Sequence, residues 1–246
     1  MKVKVVVVSL DTASDRRARF SATVPADSLD WEFFDAHRGL APGLRYDEAE
    51  AIRRKGRPLK PGELGCYSSH YAIWQQLLES DDDAYIVLED DVVPDWKFLA
   101  ALAREPLVQR GIRYLRLYYK YPARYLVRER NFVRRSTSII ELLDLAFGTQ
   151  GYVVTKPAAE VFVKTFRNVV RPVDDQLDRH WEHGVPNLSV FPFPLFEMML
   201  ESDIGDDRFA AQPPRTLARR MDMWRDRVSK RLAIARRRRD VGIAGR

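Results

Sequence analysis

The chain opens on a nearly all-apolar run, VKVVVVSL over residues 3–10, with Lys4 and Ser9 its polar members. Branched residues without a polar alternation predict a strand buried on both faces, as in a parallel sheet. TASDRRARFSATV then predicts a short helix with Ser14 as its N-cap. WEFFDA (31–36) predicts a second strand, and DEAEAIRRKG (47–56) a short helix stopped by Gly56. Pro61 fits the first turn of a longer helix, PGELGCYSSHYAIWQQLLES, where Ile73, Trp74, Leu77 and Leu78 recur at helical spacing. AYIVLE (84–89) predicts a strand, DWKFLAALARE a helix and IRYLRLYY (112–119) a strand. SIIELLDLAFGTQGYVVT (138–155) holds two strand-like runs around Gly148–Gly151. PAAEVFVKTFRN predicts a helix opened by Pro157, VDDQLDRHWEHG another ending at Gly184, and LSVFPF a late strand.

Strands alternating with helices predict an α/β sandwich, a Rossmann-like, largely parallel sheet between helices. In such sheets ligands sit beyond the carboxyl ends of strands. Glu89, Asp90 and Asp91 stand at one such end. Carboxylates there can bind a hard divalent cation, Mg²⁺ or Mn²⁺, that keeps positions open for phosphates. In an extended segment Glu89 and Asp91 face one side and Asp90 the other. A solvated acidic strand end before a helix N-terminus accounts for the same residues without a metal.

Two further segments could carry chemistry. In GELGCYSSHYAIW (62–74), Gly62 and Gly65 allow close backbone approach, and Cys66 and His70 share a helix face at i, i+4. Structural zinc lacks two further ligands of matching type, and a Cys nucleophile has no other support. A small buried Cys66 on a helix face lining a cleft is the simpler reading; the role of His70 stays open. In RPVDDQLDRHW (171–181), Asp174 or Asp175 sits at a helix N-terminus, where a cap is the simpler reading of the local sequence and a general base the alternative.

Charge is unevenly spread. The chain carries a net +6, but residues 215–246 hold 12 Lys/Arg against 3 Asp/Glu, so the preceding 214 residues are mildly acidic at −3. That disfavours a body that tracks nucleic acid. In the tail, Leu217, Met221, Trp224, Val228, Leu232 and Ala235 fall at helical spacing among arginines. A basic amphipathic helix with a Trp predicts attachment to an anionic membrane surface through residues 215–240. The alternative is that the stripe docks on the protein's own body. The single cysteine forbids an intrachain disulfide and predicts a reducing compartment. The N-terminal apolar run is too short for a signal peptide, and no run is long enough to cross a bilayer, so a cytoplasmic protein is expected.

VVVVSLDTASDRRARF, WEFFDAHRG, LKPGELGCYSSHYAIWQQLL, AYIVLEDDV, GTQGYVVTKPAAEVFV, RPVDDQLD and ESDIG together resemble, in order and spacing, glycosyltransferase family 25. That family includes bacterial lipooligosaccharide galactosyltransferases and the collagen galactosyltransferase domains. The resemblance runs from residue 3 to about 205. It implies a GT-A fold, expected over residues 1–212, and the basic amphipathic stretch makes 213–246 the expected helical tail. It also implies transfer of a sugar, typically galactose, from a UDP-sugar with inversion, to a lipopolysaccharide, lipooligosaccharide or other cell-surface acceptor. A divalent metal, usually Mn²⁺, goes with the acidic motif, with Asp91 as direct ligand and Glu89 toward the ribose or a metal-bound water. Ser9, Leu10 and Arg16 match the nucleotide segment, and Asp90 and His70 join the donor-binding set. Asp174 matches the family's P-x-D segment, where an aspartate suits the base, and Asp175 beside it leaves that assignment open. Many members carry Gln near Glu197, while Ser202 and Ile204 follow the family. With the basic tail on an anionic surface, the expected location is peripheral, on the inner face of the cytoplasmic membrane. A nucleotidyltransferase using the same acidic site is disfavoured because no Gly-rich, Lys-containing phosphate loop is present. A scaffold or nucleic-acid binder acting through the tail is the non-enzymatic alternative, and no nucleic acid is expected.

Overall fold

The structure, a computed structural model, describes residues 1–198 and 217–244. The opening run forms β1 (Val3–Ser9), followed by α1 (Ser14–Ser21), β2 (Trp31–Asp35), β3 (Arg45–Tyr46) and α2 (Glu48–Lys55). Then come α3 (Pro61–Glu79), β4 (Ala84–Glu89), β5 (Val92–Pro94), α4 (Trp96–Leu102), β6 (Tyr114–Arg116), β7 (Tyr125–Arg130) and β8 (Ser138–Leu142). The remainder is β9 (Gly151–Thr155), α5 (Lys156–Thr165), β10 (Asn168–Val169), α6 (Val173–Asp178), α7 (His180–His183), β11 (Leu188–Phe191), β12 (Leu195–Glu197) and α8 (Leu217–Ala244).

Eight strands form one sheet in the order β2-β1-β4-β9-β6-β11-β8-β7. Six of them run the same way, with β9 and β8 reversed. The sheet is therefore mostly parallel. The carboxyl ends of β1 and β4 open on the same edge as the amino end of the reversed β9.

Alternate residues of the central strands feed two cores. Val6, Tyr85, Val87, Tyr152 and Val154 pack against Tyr67, Trp74 and Leu77 of α3 and Phe162 of α5. Val5, Val7, Ile86, Leu88 and Val153 pack against Phe20 of α1 and Phe98, Leu99 and Leu102 of α4. Each fully buried ring or branched side chain contributes about 1.5–3 kcal/mol. This double burial explains why the central strands read as unbroken apolar runs.

Several boundaries differ from the sequence expectation. Ala13, not Ser14, takes the N-cap of α1, and no side chain caps it. The helix expected over 95–105 stops at Leu102, and the strand expected over 112–119 shrinks to β6. The helix expected over 173–184 breaks at Arg179, whose guanidinium is drawn to Asp175 and to Asp226 of α8. The late strand ends at Phe191, before Pro192, which has no N–H to give a ladder. β7, YLVRER, was not foreseen; it is a charged edge strand without an apolar run.

The C-terminal helix α8 lies against α2 and α7. Its polar side does the docking. Asp222 pairs with Arg53, Asp226 with Arg179 at 2.6 Å, Lys230 with Asp144 at 2.6 Å, and Arg237 with Glu141 at 3.3 Å. Arg219 is buried over Gly56, whose φ of +93° closes α2 and where a Cβ would stand 2.3 Å from the guanidinium. Leu217, Met221, Trp224 and Leu232 instead point outward, 55–78% exposed. The apolar stripe does not dock on the body; the opposite face does.

Candidate active site

β4 ends at Glu89, and the chain turns through Asp90 and Asp91 into β5. β5 pairs antiparallel with β12, with Val92 opposite Glu197, and the Met198 N–H donates to the Asp91 carbonyl at 2.7 Å. A fourth carboxylate, Glu197, thereby joins the strand end.

The side chains separate by alternation. Asp90 turns toward β1 and α1, accepting from the Ser9 hydroxyl at 2.6 Å and from Arg16 at 3.4 Å. Leu10 follows Ser9, and its carbonyl accepts from the Ala13 N–H at 3.0 Å, fixing the turn into α1. Glu89 turns the other way and accepts from the Thr149 hydroxyl at 2.5 Å. Glu197 accepts from Tyr118 at 3.0 Å, Gln150 at 3.1 Å and Lys120 at 3.3 Å. Asp91 is different: its Oδ1 is buried and has no hydrogen-bond partner among the described residues.

The electrostatics follow from this crowding. Burial, then the charges of Asp91, Glu197 and Asp90, push the Glu89 carboxyl well above its usual range. Burial and the charges of Asp90 and Glu197 raise Asp91, with Arg16 opposing. A cluster of oxygen donors with one oxygen unpartnered among the described residues is of the type that hard divalent cations take.

The segment Gly148–Gln150 ties the site together. The Gly148 N–H donates to Asp174 at 3.2 Å, Thr149 holds Glu89, and Gln150 holds Glu197. A buried pair shapes this segment from behind. Asp178 accepts from the Ala146 and Phe147 N–H groups, both at 2.7 Å, and from Arg116 at 2.8 Å. Arg116 in turn donates to the carbonyls of Phe147 and Gly148 at 3.1 and 2.6 Å.

The two adjacent aspartates of α6 part company. Asp174 is half-buried, accepts the Gly148 and Asp175 N–H groups, and pairs with no cation among the described residues. Asp175 is buried between Lys55 at 3.1 Å and Arg179 at 2.9 Å. Burial works to raise its pKa, but Lys55, Arg179 and Arg171 outweigh it and hold the group below the usual carboxylate range.

Cys66 and His70 come up from α3 to meet Glu89. Gly65 lets the helix approach, since a Cβ there would stand 2.3 Å from the His37 carbonyl oxygen; Gly62 is exposed. Burial, then the charges of Glu89 and Asp174, push the Cys66 thiol up. His70 is fully buried, and burial holds its pKa down at about 3.

Thus Ser9, Arg16, Glu89, Asp90, Asp91, Asp174 and the Cys66–His70 pair converge at one sheet edge, whereas Asp175 turns away into an ion-pair network. Thr149, Gln150, Tyr118 and Lys120 are contributors that sequence reasoning missed. GTQG was visible between two strands, but nothing local gives its partners. Ser202 and Ile204, and the boundary at residues 212/213, lie outside the described residues. The ensemble offers oxygen donors for a divalent cation, a cationic Arg16 and Lys120 nearby, and a half-buried carboxylate able to take a proton.

The family model for glycosyltransferase family 25 (LPS biosynthesis protein) matches residues 2–177. Lacto-N-neotetraose biosynthesis glycosyltransferase LgtE of Neisseria meningitidis serogroup B is 28% identical over 237 residues, covering 82% of this chain and 80% of that protein. The corresponding LgtB of Neisseria gonorrhoeae is 30% identical over 176 residues, 65% of this chain and 60% of that protein. Procollagen galactosyltransferase 1 of Danio rerio is 27% identical over 171 residues, 65% of this chain. The match spans only 28% of that protein's length. The family match takes in the acidic turn, the Cys66–His70 helix, the Gly148–Gln150 segment and both aspartates of α6, while Glu197 and α8 lie beyond it. The chain belongs to glycosyltransferase family 25.

Proposed function

We propose that this protein moves a sugar, galactose in the first instance, from a UDP-sugar to a hydroxyl of a lipopolysaccharide, lipooligosaccharide or other cell-surface glycan, with inversion and with Mn²⁺ or Mg²⁺. The observation that carries the reading is the unpartnered, buried Asp91 oxygen within a carboxylate cluster at the strand ends. The Lgt relatives are named for lacto-N-neotetraose biosynthesis, and the procollagen relatives as galactosyltransferases. Six codirectional strands with the site beyond their ends support a GT-A body.

Glu89 and Asp91 would hold the cation, with Glu197 beside them. When bound, the cation would neutralise the diphosphate leaving group as charge builds on it. Ser9, Leu10 and Arg16 form the nucleotide edge, and Asp90 fixes Ser9 and Arg16 by hydrogen bonds. Asp174 is the base: two backbone N–H groups orient it, and no cation competes for its lone pairs. It takes the acceptor hydroxyl's proton on the face opposite the leaving group, so one displacement inverts the anomeric carbon through an oxocarbenium-like transition state. Asp175, neutralised by Lys55 and Arg179, anchors α6 and leaves Asp174 as the only α6 carboxylate free to act.

No helix among the described residues is long and apolar enough to cross a membrane. The outward face of α8 supports peripheral attachment to an anionic inner-leaflet surface: exposed Leu217, Met221, Trp224 and Leu232 lie among exposed Arg220, Arg227 and Arg231. Sedimentation with anionic vesicles, lost in Trp224→Glu, tests that part. The activity is tested by a panel of UDP-sugars with Mn²⁺ present. Hydrolysis or transfer of one donor, abolished by a chelator, is expected; no turnover of any of them contradicts the reading.

A further inference from the structure

Below the carboxylates, Cys66, His70 and Glu89 offer a sulfur, a ring nitrogen and a carboxylate oxygen that all lie within 4.8 Å of one another. Two of the three come from successive turns of α3 and the third from the end of β4. His70 is held by its Nδ1, 2.8 Å from the Tyr152 hydroxyl, which also accepts from the Trp74 indole N–H at 3.1 Å. Nε2 is buried and has no hydrogen-bond partner among the described residues. An orphaned buried polar atom is costly, and the proposed transfer steps place no group on it. A ring fixed through one nitrogen, with the other left open, is the arrangement in which histidine ligates metals.

We propose that Cys66, His70 and Glu89 form a three-ligand site for a thiophilic divalent cation of the zinc class, and that filling it withdraws Glu89 from the acidic cluster above. Thiolate, imidazole and carboxylate are zinc's ligand types, and three protein ligands leave a fourth position for water or solute. Soft and borderline donors of this kind prefer zinc to the Mg²⁺ or Mn²⁺ that all-oxygen sites take. On binding, the Cys66 thiol gives its proton to solvent, so the thiolate and the Glu89 carboxylate balance the two charges of the cation. The helix segment alone shows two ligands at i, i+4; the strand end supplies the third only in the fold. Withdrawal of Glu89 makes zinc an inhibitor, and this consequence alone rests on the proposed transfer reaction.

Titration of the full-length protein with Co²⁺ tests the site directly. Cys66 is the only cysteine, so any thiolate-to-cobalt charge-transfer band reports on it alone. One equivalent of Co²⁺ should raise that band, and Zn²⁺ should displace it. Cys66→Ser should abolish the band, and His70→Gln should weaken Co²⁺ binding by about tenfold or more. Asp174→Asn should leave it unchanged, and circular dichroism identifies any variant that fails to fold. Absence of the band in the wild-type protein, or a band that persists in folded Cys66→Ser, overturns the site. In turnover assays, Zn²⁺ should inhibit the wild type more strongly than Cys66→Ser; equal inhibition overturns the link through Glu89. If no UDP-sugar is turned over, the proposed reaction fails while the cobalt spectrum still decides the site.

Discussion

Asp178 sets the shape of the segment that gathers the active-site carboxylates. Its side chain is fully buried, as is that of Arg116, and it accepts four hydrogen bonds: two backbone N–H groups at 2.7 Å and the Arg116 and Asn187 side chains at 2.8 Å. Asp178→Ala strands the Arg116 guanidinium and both N–H groups without an anion. Removing one partner of a buried pair costs about 3–5 kcal/mol. For a chain of this size each kcal/mol lowers the melting temperature by roughly 2–4 °C, so a drop of roughly 6–20 °C is expected. Asp178→Asn keeps the shape and one acceptor but loses the charge, and should cost about 1.5–3 kcal/mol. Replacing both partners, as in Arg116→Met with Asp178→Leu, should cost less than the sum of the single changes. Denaturant unfolding of the wild type, these three variants and the single changes Arg116→Met and Asp178→Leu measures all three free energies. A loss below about 1 kcal/mol in Asp178→Ala would mean that the pair behaves like an exposed one and does not shape the loop.

Three other outcomes are expected. Gly65→Ala puts a methyl group 2.3 Å from the His37 carbonyl oxygen, a backbone clash that should cost about 1–3 kcal/mol in denaturant unfolding. Asp174→Asn should lower turnover by about 10²–10⁴-fold while nucleotide binding by calorimetry is kept, whereas Asp175→Asn should mainly lower stability. The Asp175 contribution is present above the ordinary carboxylate range and is lost as pH falls toward its lowered folded value; stability insensitive to that change contradicts it. His180 and His183 are held neutral, each at about 4, by burial first. Their contribution is full above the unfolded value near 6.5 and falls by about 1.4 kcal/mol per pH unit for each as pH drops toward 4. Unfolding free energies flat between those limits would contradict the buried, neutral assignment.

The sheet's centre was legible because β1, β4 and β9 are buried on both faces and must be apolar throughout. The Glu89–Asp91 turn was legible too, since carboxylates at the end of such a run have no packing role. What surrounds the turn was not. Glu197 reaches it through a three-residue ladder between β5 and β12, too short to print a pattern. Thr149 and Gln150 act through partners 60 and 47 residues away. The break at Arg179 comes from an ion pair with Asp226, 47 residues on, which helix propensity does not register. For α8, apolar periodicity located a stripe but not its destination. The docking face is set by charges on α2, α7 and the loop at Asp144, visible only when the body is folded.

The proposed role of Asp91 and its neighbours is to hold a divalent cation for sugar transfer. It is tested most directly by UDP-sugar turnover in wild-type and Asp91→Ala protein, each stripped with chelator and titrated with Mn²⁺. No turnover is expected without metal, with recovery of the wild type on Mn²⁺ addition and a deficit on the order of 100-fold in Asp91→Ala at equal Mn²⁺. Undiminished Mn²⁺-dependent turnover in Asp91→Ala would contradict it.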